Sequence, residues 1–324
     1  MTKNTNIGNA PVSTAAAATA TAAATTTPTT TPKATATAIP TVIAAPTNSS
    51  GLVFGMNLHL DNASDPFLTS QGFRNGVKAA GVQFIRLPIR TIGAPDAISL
   101  AAAQDVQAMG ATPLIILKFS QPDPVGAATS VVQAMNGIFG NQRVYYEFGN
   151  ERDLAGVDDQ AYTTEWNLVA PTVKHLANNA WIGGPVNFQA NPQYIAYFVK
   201  NATTAPDFIS WHWYTCNSAD SNQTCLDNVS HFPTHVSDTR QAIQANGNTV
   251  PPIMITEWNY APDSGVQTDN KHNDPVFLKQ WTTLALQQLT NPANNIFASN
   301  IYDVTNVLPL SDTQGNLTTQ GQVF

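Results

Sequence analysis

The sequence is poor in charge, in cysteine and in long apolar runs. Only 11% of its 324 residues are charged, with 14 Lys and Arg against 21 Asp and Glu, and the cations form no cluster. Because nucleic acids and anionic membranes are bound through clustered cations, we expect neither as a partner. No apolar run reaches the ~20 residues of a membrane-spanning helix, so we predict no membrane span.

The two cysteines, Cys216 and Cys225, are separated by a polar segment that is typical of a loop. They form either a local disulfide or two free thiols, and we favour the disulfide, which requires an oxidising compartment. We therefore expect an extracellular or cell-surface protein whose export signal is not part of this sequence. We also expect a monomer.

The composition changes sharply near Gly51. Residues 1–50 are mostly Ala, Thr, Pro, Ser and Asn, with Lys3 and Lys33 as their only charged side chains, so they lack the apolar content of a core. We predict a disordered Ala/Thr/Pro-rich tether over residues 1–50. Residues 51–324 come close to the roughly 250 residues of one (β/α)₈ barrel, and we predict a single catalytic domain.

Eight short apolar runs recur after residue 50 at a spacing typical of repeated βα units. Their apolar residues are adjacent rather than alternate, as in parallel strands that are buried on both faces. An α/β fold of the (β/α)₈ TIM-barrel type is therefore predicted. An open doubly wound sheet is the alternative, but no glycine-rich phosphate loop supports it. The runs begin near Val53, Phe84, Pro113, Val144, Trp181, Phe208, Ile253 and Ile296.

Four segments between these runs carry apolar residues at helical spacing, with Pro or Asp near their starts. They are 95–109, 125–139, 159–176 and 275–289. The short remainder after Tyr302 predicts a turn and at most a stub of helix near Thr318. We therefore expect a short or truncated last helix.

Two of the predicted strands end on a carboxylic acid. The run YYEFGNE ends on Glu151, and the run PIMITEW carries Glu257 at its end. Catalytic groups of barrels lie at the carboxyl ends of the strands. Two such acids match the needs of retaining glycoside hydrolysis, which uses one as acid/base and one as nucleophile. The alternative is that each acid is a solvated loop residue or a helix-start carboxylate.

Three further polar side chains are predicted to support the acids. His212 and Tyr214 share one face of the WHWY strand, so both rings are expected to reach the carboxylates. Arg86 lies between apolar residues in FIRLP and needs an acidic partner if it is buried. Glu147 and Glu257 are the two candidates, so Arg86 either stiffens the barrel wall or positions Glu257.

Other strand-end residues are candidate sugar ligands. Asn57 and His59 end the first strand and Lys118 ends the third, and ordinary loop roles are equally open for them. Trp258 is a candidate for stacking on a sugar ring, together with Tyr260.

His231 and His235 are four residues apart, but Pro233 lies between them and no carboxylate is near. We interpret HFPTH as a solvated loop. No metal site and no cofactor are predicted.

The motifs that hold these residues resemble clan A of the glycoside hydrolases, which are retaining (β/α)₈ barrels. GNERDL is similar to the acid/base strand of the β-glucuronidase and heparanase family. WIGGP and ITEWN are more similar to the β-xylosidase and α-iduronidase family. The resemblance implies Glu151 as acid/base, Asn150 as the donor to the substrate 2-hydroxyl, and Glu257 as nucleophile. Arg152 stands where many of these families have Pro, and Tyr302 where they commonly have Trp.

The predicted function is retaining hydrolysis of a β-linked oligo- or polysaccharide by two carboxylates. The alternative is a catalytically inactive carbohydrate-binding or cell-surface protein that keeps the barrel. Paired ionisable groups at the site argue for the enzyme.

Overall fold

The computed structural model describes residues 51–118, 122–262, 270–302 and 308–324. The predicted tether, residues 1–50, lies outside the described residues.

Eight parallel strands close into a barrel in which each strand pairs with its neighbours in sequence and β8 pairs with β1. The (β/α)₈ prediction is confirmed. Six of the eight strands begin at the residue predicted from the sequence, and the other two, β3 and β5, begin one residue earlier. The strands are β1 Val53–Asn57, β2 Phe84–Pro88, β3 Thr112–Leu117, β4 Val144–Phe148, β5 Ala180–Asn187, β6 Phe208–Tyr214, β7 Ile253–Asn259 and β8 Ile296–Ile301.

The helices between the strands begin where a side-chain oxygen accepts a hydrogen bond from a free backbone N–H. Asp96, Asp123, Asp158 and Asp274 each cap a long helix in this way. The described helices are α1 Pro66–Thr69, α2 Gln71–Ala79, α3 Ala97–Met109, α4 Pro124–Phe139, α5 Asp159–Leu176, α6 Pro192–Asn201, α7 Asn222–Asp227, α8 Phe232–Ala245 and α9 Pro275–Leu289. Two 3₁₀ turns, Asn228–His231 and Lys271–Asn273, complete the set.

Apolar side chains fill two separate layers. The larger layer lies between the barrel and its helices, and the smaller one closes the barrel interior. Because the floor of the barrel is packed, the polar residues at the carboxyl ends of the strands face a cavity that opens at one end only. The floor is made by Phe84, Leu114, Tyr145, Phe208, Met254 and Ala298.

An irregularity in β7 decides which way its acid points. Met254 belongs to the inner floor, so strict alternation would turn Glu257 to the outer face. The register shifts between β6 and β7, so that Trp211 pairs with Ile255 but His212 pairs with Glu257. Thr256 is therefore the extra residue of a β-bulge, and Glu257 enters the barrel.

One prediction about a loop needs correction. HFPTH is not a solvated loop, because Pro233 occupies the first turn of α8, where its missing N–H costs no hydrogen bond. The end of the chain agrees with the prediction of at most a stub of helix near Thr318: it forms a single turn, in which the N–H of Gln322 donates to the carbonyl of Thr318 at 2.9 Å.

Within the described ranges, no helix combines the length and apolarity needed to cross a bilayer.

Candidate active site

Glu151 follows β4 at the mouth of the barrel. Tyr145 and Glu147 face the interior, and the chain then turns through Gly149 and Glu151, whose φ angles are 83° and 46°. The N–H of Glu151 donates to the carbonyl of Val186 at 2.9 Å, which ties this left-handed turn to β5. A non-glycine residue in this region is strained unless its surroundings hold it, and strain of this kind is frequent at functional sites.

Glu257 lies deeper in the barrel, where only 6% of the residue is exposed. The hydroxyl of Tyr214 donates to its Oε2 at 2.8 Å. The guanidinium of Arg86 donates to its Oε1. Both carboxylate oxygens of Glu257 therefore accept a hydrogen bond from a side chain.

His212 joins the two acids. Its Nδ1 lies 2.7 Å from Oε1 of Glu151 and 3.2 Å from Oε2 of Glu257. A carboxylate oxygen of each acid and a ring nitrogen of His212 all lie within 4.8 Å of one another. The fold thus brings together two acids that are far apart in the sequence, with a titratable ring between them.

Arg86 binds both candidate partners at once. Its Nε donates to Oε2 of Glu147 at 2.5 Å while its Nη1 donates to Glu257. Two further bonds reach Oδ1 of Asn57, at 2.9 Å, and Oδ1 of Asn150, at 2.7 Å. The sequence left open whether Arg86 stiffens the wall or positions the acid, and the structure shows contacts for both.

Two pKa shifts follow from this arrangement. Burial alone would lower the pKa of Arg86, but the charges of Glu147 and Glu257 outweigh burial and raise it, so the guanidinium stays charged. Burial, and next the charge of Glu257, raise the pKa of Tyr214 well above its usual value. The Tyr214 phenol therefore keeps its proton and remains a hydrogen-bond donor to the carboxylate.

Two cavities open around the acids, with volumes of about 530 and 360 Å³. Asn150, Glu257 and Tyr302 line both of them, and Glu151 lines the smaller one. These volumes lie within the range of about 300–1,000 Å³ for small-molecule sites.

Three residues considered as sugar ligands line the larger cavity, with different contacts. The amide nitrogen of Asn57 is bound to three backbone carbonyls, those of Thr256, Asn300 and Ile301, so Asn57 anchors Arg86 instead. His59 lies at the rim with Nδ1 3.1 Å from Asp61. Lys118 is exposed, and its Nζ donates to the carbonyl of Arg90 at 2.9 Å.

The predicted sugar-stacking role of Trp258 is wrong. Trp258 is fully buried on the outer face of β7, where its ring packs 5.8 Å from Trp281 and 5.9 Å from Phe324. Tyr260 is also buried, against Phe277 and Trp281. The bulge turns Glu257 inward, so its neighbour Trp258 must face the helices.

The two cysteines are joined. The sulfurs of Cys216 and Cys225 lie 1.96 Å apart, and the bond closes the loop after β6. This loop follows Tyr214 directly, so the disulfide restrains the chain next to a residue that contacts Glu257.

Glu151, His212 and Glu257 also offer one donor atom each to a cation. An ion in that position would occupy both acids and compete with their use as acid and nucleophile. That the reaction needs no metal stays a prediction.

The family model described as the catalytic core of glycosyl hydrolases matches residues 157–324, which is more than half of the 324-residue chain. The chain belongs to this glycosyl hydrolase family. The matched part contains His212, Tyr214, the disulfide and Glu257, and it begins just after Glu151. Membership makes the protein an O-glycosyl hydrolase, and it points to a carbohydrate substrate. No curated protein matches the sequence.

Solved structures share the barrel at low sequence identity. A GH51 arabinofuranosidase from Xanthomonas axonopodis pv. citri has a TM-score of 0.64 and 15% identity, covering 85% of this chain and 72% of that one. A GH39 β-xylosidase from Caulobacter crescentus has a TM-score of 0.61 and 17% identity, covering 86% and 71%. A glucosidase from Croceicoccus marinus has a TM-score of 0.59 and 15% identity, and the chain covers 65% of its length with 83% of its own. These similarities show that the chain and the three solved structures share the barrel fold.

The sequence reading missed the apolar part of the site. Leu154, Phe188 and Pro262 line the smaller cavity beside Glu151. Leu154 follows β4, Phe188 follows β5 and Pro262 follows β7. Positions shortly after a strand lie at the carboxyl end of the barrel, so the sequence could have indicated these residues.

Proposed function

We propose that this glycosyl hydrolase cleaves a β-linked glycoside with retention of anomeric configuration. The observation that supports it is the approach of the two acids, whose nearest oxygens lie within 4.8 Å with His212 between them. Retaining enzymes hold their carboxyl groups about 5–5.5 Å apart, whereas inverting enzymes leave roughly 6.5–9.5 Å for a water molecule.

The proposed roles follow from the contacts of each acid. Glu257 is ligated by two donors, Arg86 and Tyr214, so it is suited to attack the anomeric carbon as a carboxylate. Glu151 has 21% of its side chain exposed and bonds to His212, so it can exchange protons with the leaving oxygen and then with water. The reaction passes through a glycosyl ester on Glu257, which Glu151 then helps water to hydrolyse.

Asn150 is proposed to bind the sugar 2-hydroxyl. Its Oδ1 accepts from Arg86 at 2.7 Å, which fixes the orientation of the amide. Because Asn150 lines both cavities beside Glu257, its amide nitrogen is placed to donate to a hydroxyl next to the anomeric carbon.

The test is a panel of aryl β-xylosides, β-glucosides, β-galactosides and β-glucuronides, with Glu257→Ala as the control. We expect the wild type to hydrolyse one or more of them and Glu257→Ala to lose that activity. NMR of the first product should show the β anomer, and a 2-fluorosugar should label Glu257 in mass spectra. A first product of inverted configuration would refute the double displacement. Inactivity on the whole panel, with binding of oligosaccharide retained, would favour the non-catalytic binding protein.

We also propose that the protein works outside the reducing cytosol, in the extracellular space or at the cell surface. The disulfide between Cys216 and Cys225 supports this, since such bonds persist in oxidising compartments. Two free thiols in the protein isolated from its natural source would contradict it.

A further inference from the structure

The two cavities differ in their relation to the acids. Both touch Glu257, but Glu151 lines only the smaller, 360 Å³ cavity. A general acid must come within about 2.6–3.2 Å of the oxygen it protonates. In a glycosidase that oxygen belongs to the leaving group, so the leaving group lies on the side of the acid.

The linings of the two cavities also differ in charge. Arg86, Arg90, Lys118 and Arg152 line the larger cavity. Among the described residues, no Lys, Arg or His lines the smaller one. An anionic group would therefore find no counter-ion among these residues, and a leaving group without negative charge is favoured.

The smaller cavity presents an apolar surface instead. Leu154 is 63% exposed at its rim. Phe188 lines the same cavity and stacks on Tyr214, with ring centroids 5.9 Å apart and planes at 26°. Apolar and aromatic side chains with a few polar groups are typical of sites for neutral ligands.

We propose that the smaller cavity binds the leaving group, an uncharged sugar unit whose C–H face contacts Leu154 and Phe188, and that the larger cavity binds the glycone. The proposal rests on the proposed function, because it uses Glu151 as the acid. It makes Leu154 a specificity-determining residue for the leaving group.

Ile92 supplies a matched control at the other cavity. It is 67% exposed, lines the larger cavity and has the same number of side-chain carbons as Leu154. Leu154→Ser and Ile92→Ser remove comparable apolar surface from opposite sides of Glu257. Because both side chains are largely exposed, both variants should keep the fold, which thermal melting checks.

The experiment compares two kinds of substrate in the xylose and glucose series. β-Glycosyl fluorides carry a leaving group of one atom, whereas β-1,4-linked disaccharides place a sugar in the leaving-group cavity. We expect Leu154→Ser to lower the ratio of kcat/KM for disaccharide to kcat/KM for fluoride by roughly tenfold, the lower end of what a lost apolar contact in a pocket costs. Ile92→Ser should change both values by the same factor and leave the ratio as in the wild type.

A second measurement uses the glycosyl-enzyme trapped on Glu257 with a 2-fluorosugar. Added xylobiose or cellobiose should speed its turnover by acting as acceptor, and Leu154→Ser should weaken this effect. An unchanged ratio and unchanged acceptor effect in Leu154→Ser would overturn the assignment, as would a ratio that falls in Ile92→Ser instead. A wild type that is inactive on fluorides as well as disaccharides would remove the proposed function itself, and the assignment with it.

Discussion

Replacing Arg86 by lysine is a direct test of the charge network under the active site. The guanidinium is 1% exposed and donates to two carboxylates, those of Glu147 and Glu257, and to the amide oxygens of Asn57 and Asn150. Lysine keeps the positive charge but has one ammonium group, which cannot reach four acceptors in a planar fork. At least one buried acid is left without its charged donor.

The cost follows from that loss. Removing the partner of a buried ion pair costs about 3–5 kcal/mol, and the charge retained by lysine reduces this to roughly 2–3 kcal/mol. For a domain of this size each kcal/mol corresponds to about 2–4 °C, so Tm should fall by about 4–12 °C. Loss of the bonds to Glu257 and Asn150 should also lower kcat/KM by at least about tenfold.

Arg90→Lys is the control. Arg90 also forms an arginine–carboxylate pair, with Asp96 at 2.6 Å, but both side chains are more than 20% exposed. Such a pair contributes less than about 1 kcal/mol, so Tm should change by under ~4 °C. Melting is followed by near-ultraviolet circular dichroism and activity with the best aryl β-glycoside. Equal changes in Tm for the two variants would refute the assigned importance of the buried network.

Three further changes test single contacts. Tyr214→Phe removes the hydroxyl that donates to Glu257, a bond to a charged group worth about 1.5–3 kcal/mol, so kcat/KM should fall between about 10- and 150-fold. Since the pKa of Tyr214 is raised, the wild-type phenol should lose no proton up to at least pH 9. A limb of the pH–rate profile below that pH that disappears in Tyr214→Phe would contradict this. Replacing Cys216 and Cys225 together by serine should lower the free energy of unfolding by about 2–3 kcal/mol, because the disulfide restricts a short loop in the unfolded chain. Urea unfolding measures this change. An unchanged free energy of unfolding would contradict the stabilising role of the disulfide. Trp258→Phe leaves a cavity beside Trp281, which should lower the free energy of unfolding by roughly 1–2 kcal/mol and leave the KM for aryl glycosides as in the wild type. A raised KM would restore the sugar-stacking role.

The barrel was predictable because its strands are buried on both faces. Runs such as FIRLP and PLIILK are apolar at consecutive positions, and turn residues bound them, so their starts could be placed to within a residue. The start of α8 was not predictable in the same way. Pro233 between the two histidines favours a loop, whereas a proline in the first turn is compatible with a helix.

The site was predictable as far as regular alternation holds. His212 and Tyr214 are two apart on β6, and both reach Glu257. Alternation of side chains does not predict the bulge at Thr256 or the left-handed turn at Glu151, because both depend on pairing with neighbouring strands. For this reason the sequence does not show that Glu257 faces the barrel interior while Trp258 faces the helices.

The extra residue in β7 has a second consequence, which concerns the backbone. Met254 and Glu257 both face inward although three positions separate them, an odd interval that a regular two-residue repeat does not allow. A strand shortened by deleting Thr256 would regain that repeat and still send the acid inward. It would, however, lose the carbonyl that receives the amide of Asn57 at 3.0 Å, and Asn57 in turn holds Arg86. Besides turning Glu257 inward, the additional residue therefore supplies a carbonyl that helps to hold Asn57 and, through it, Arg86.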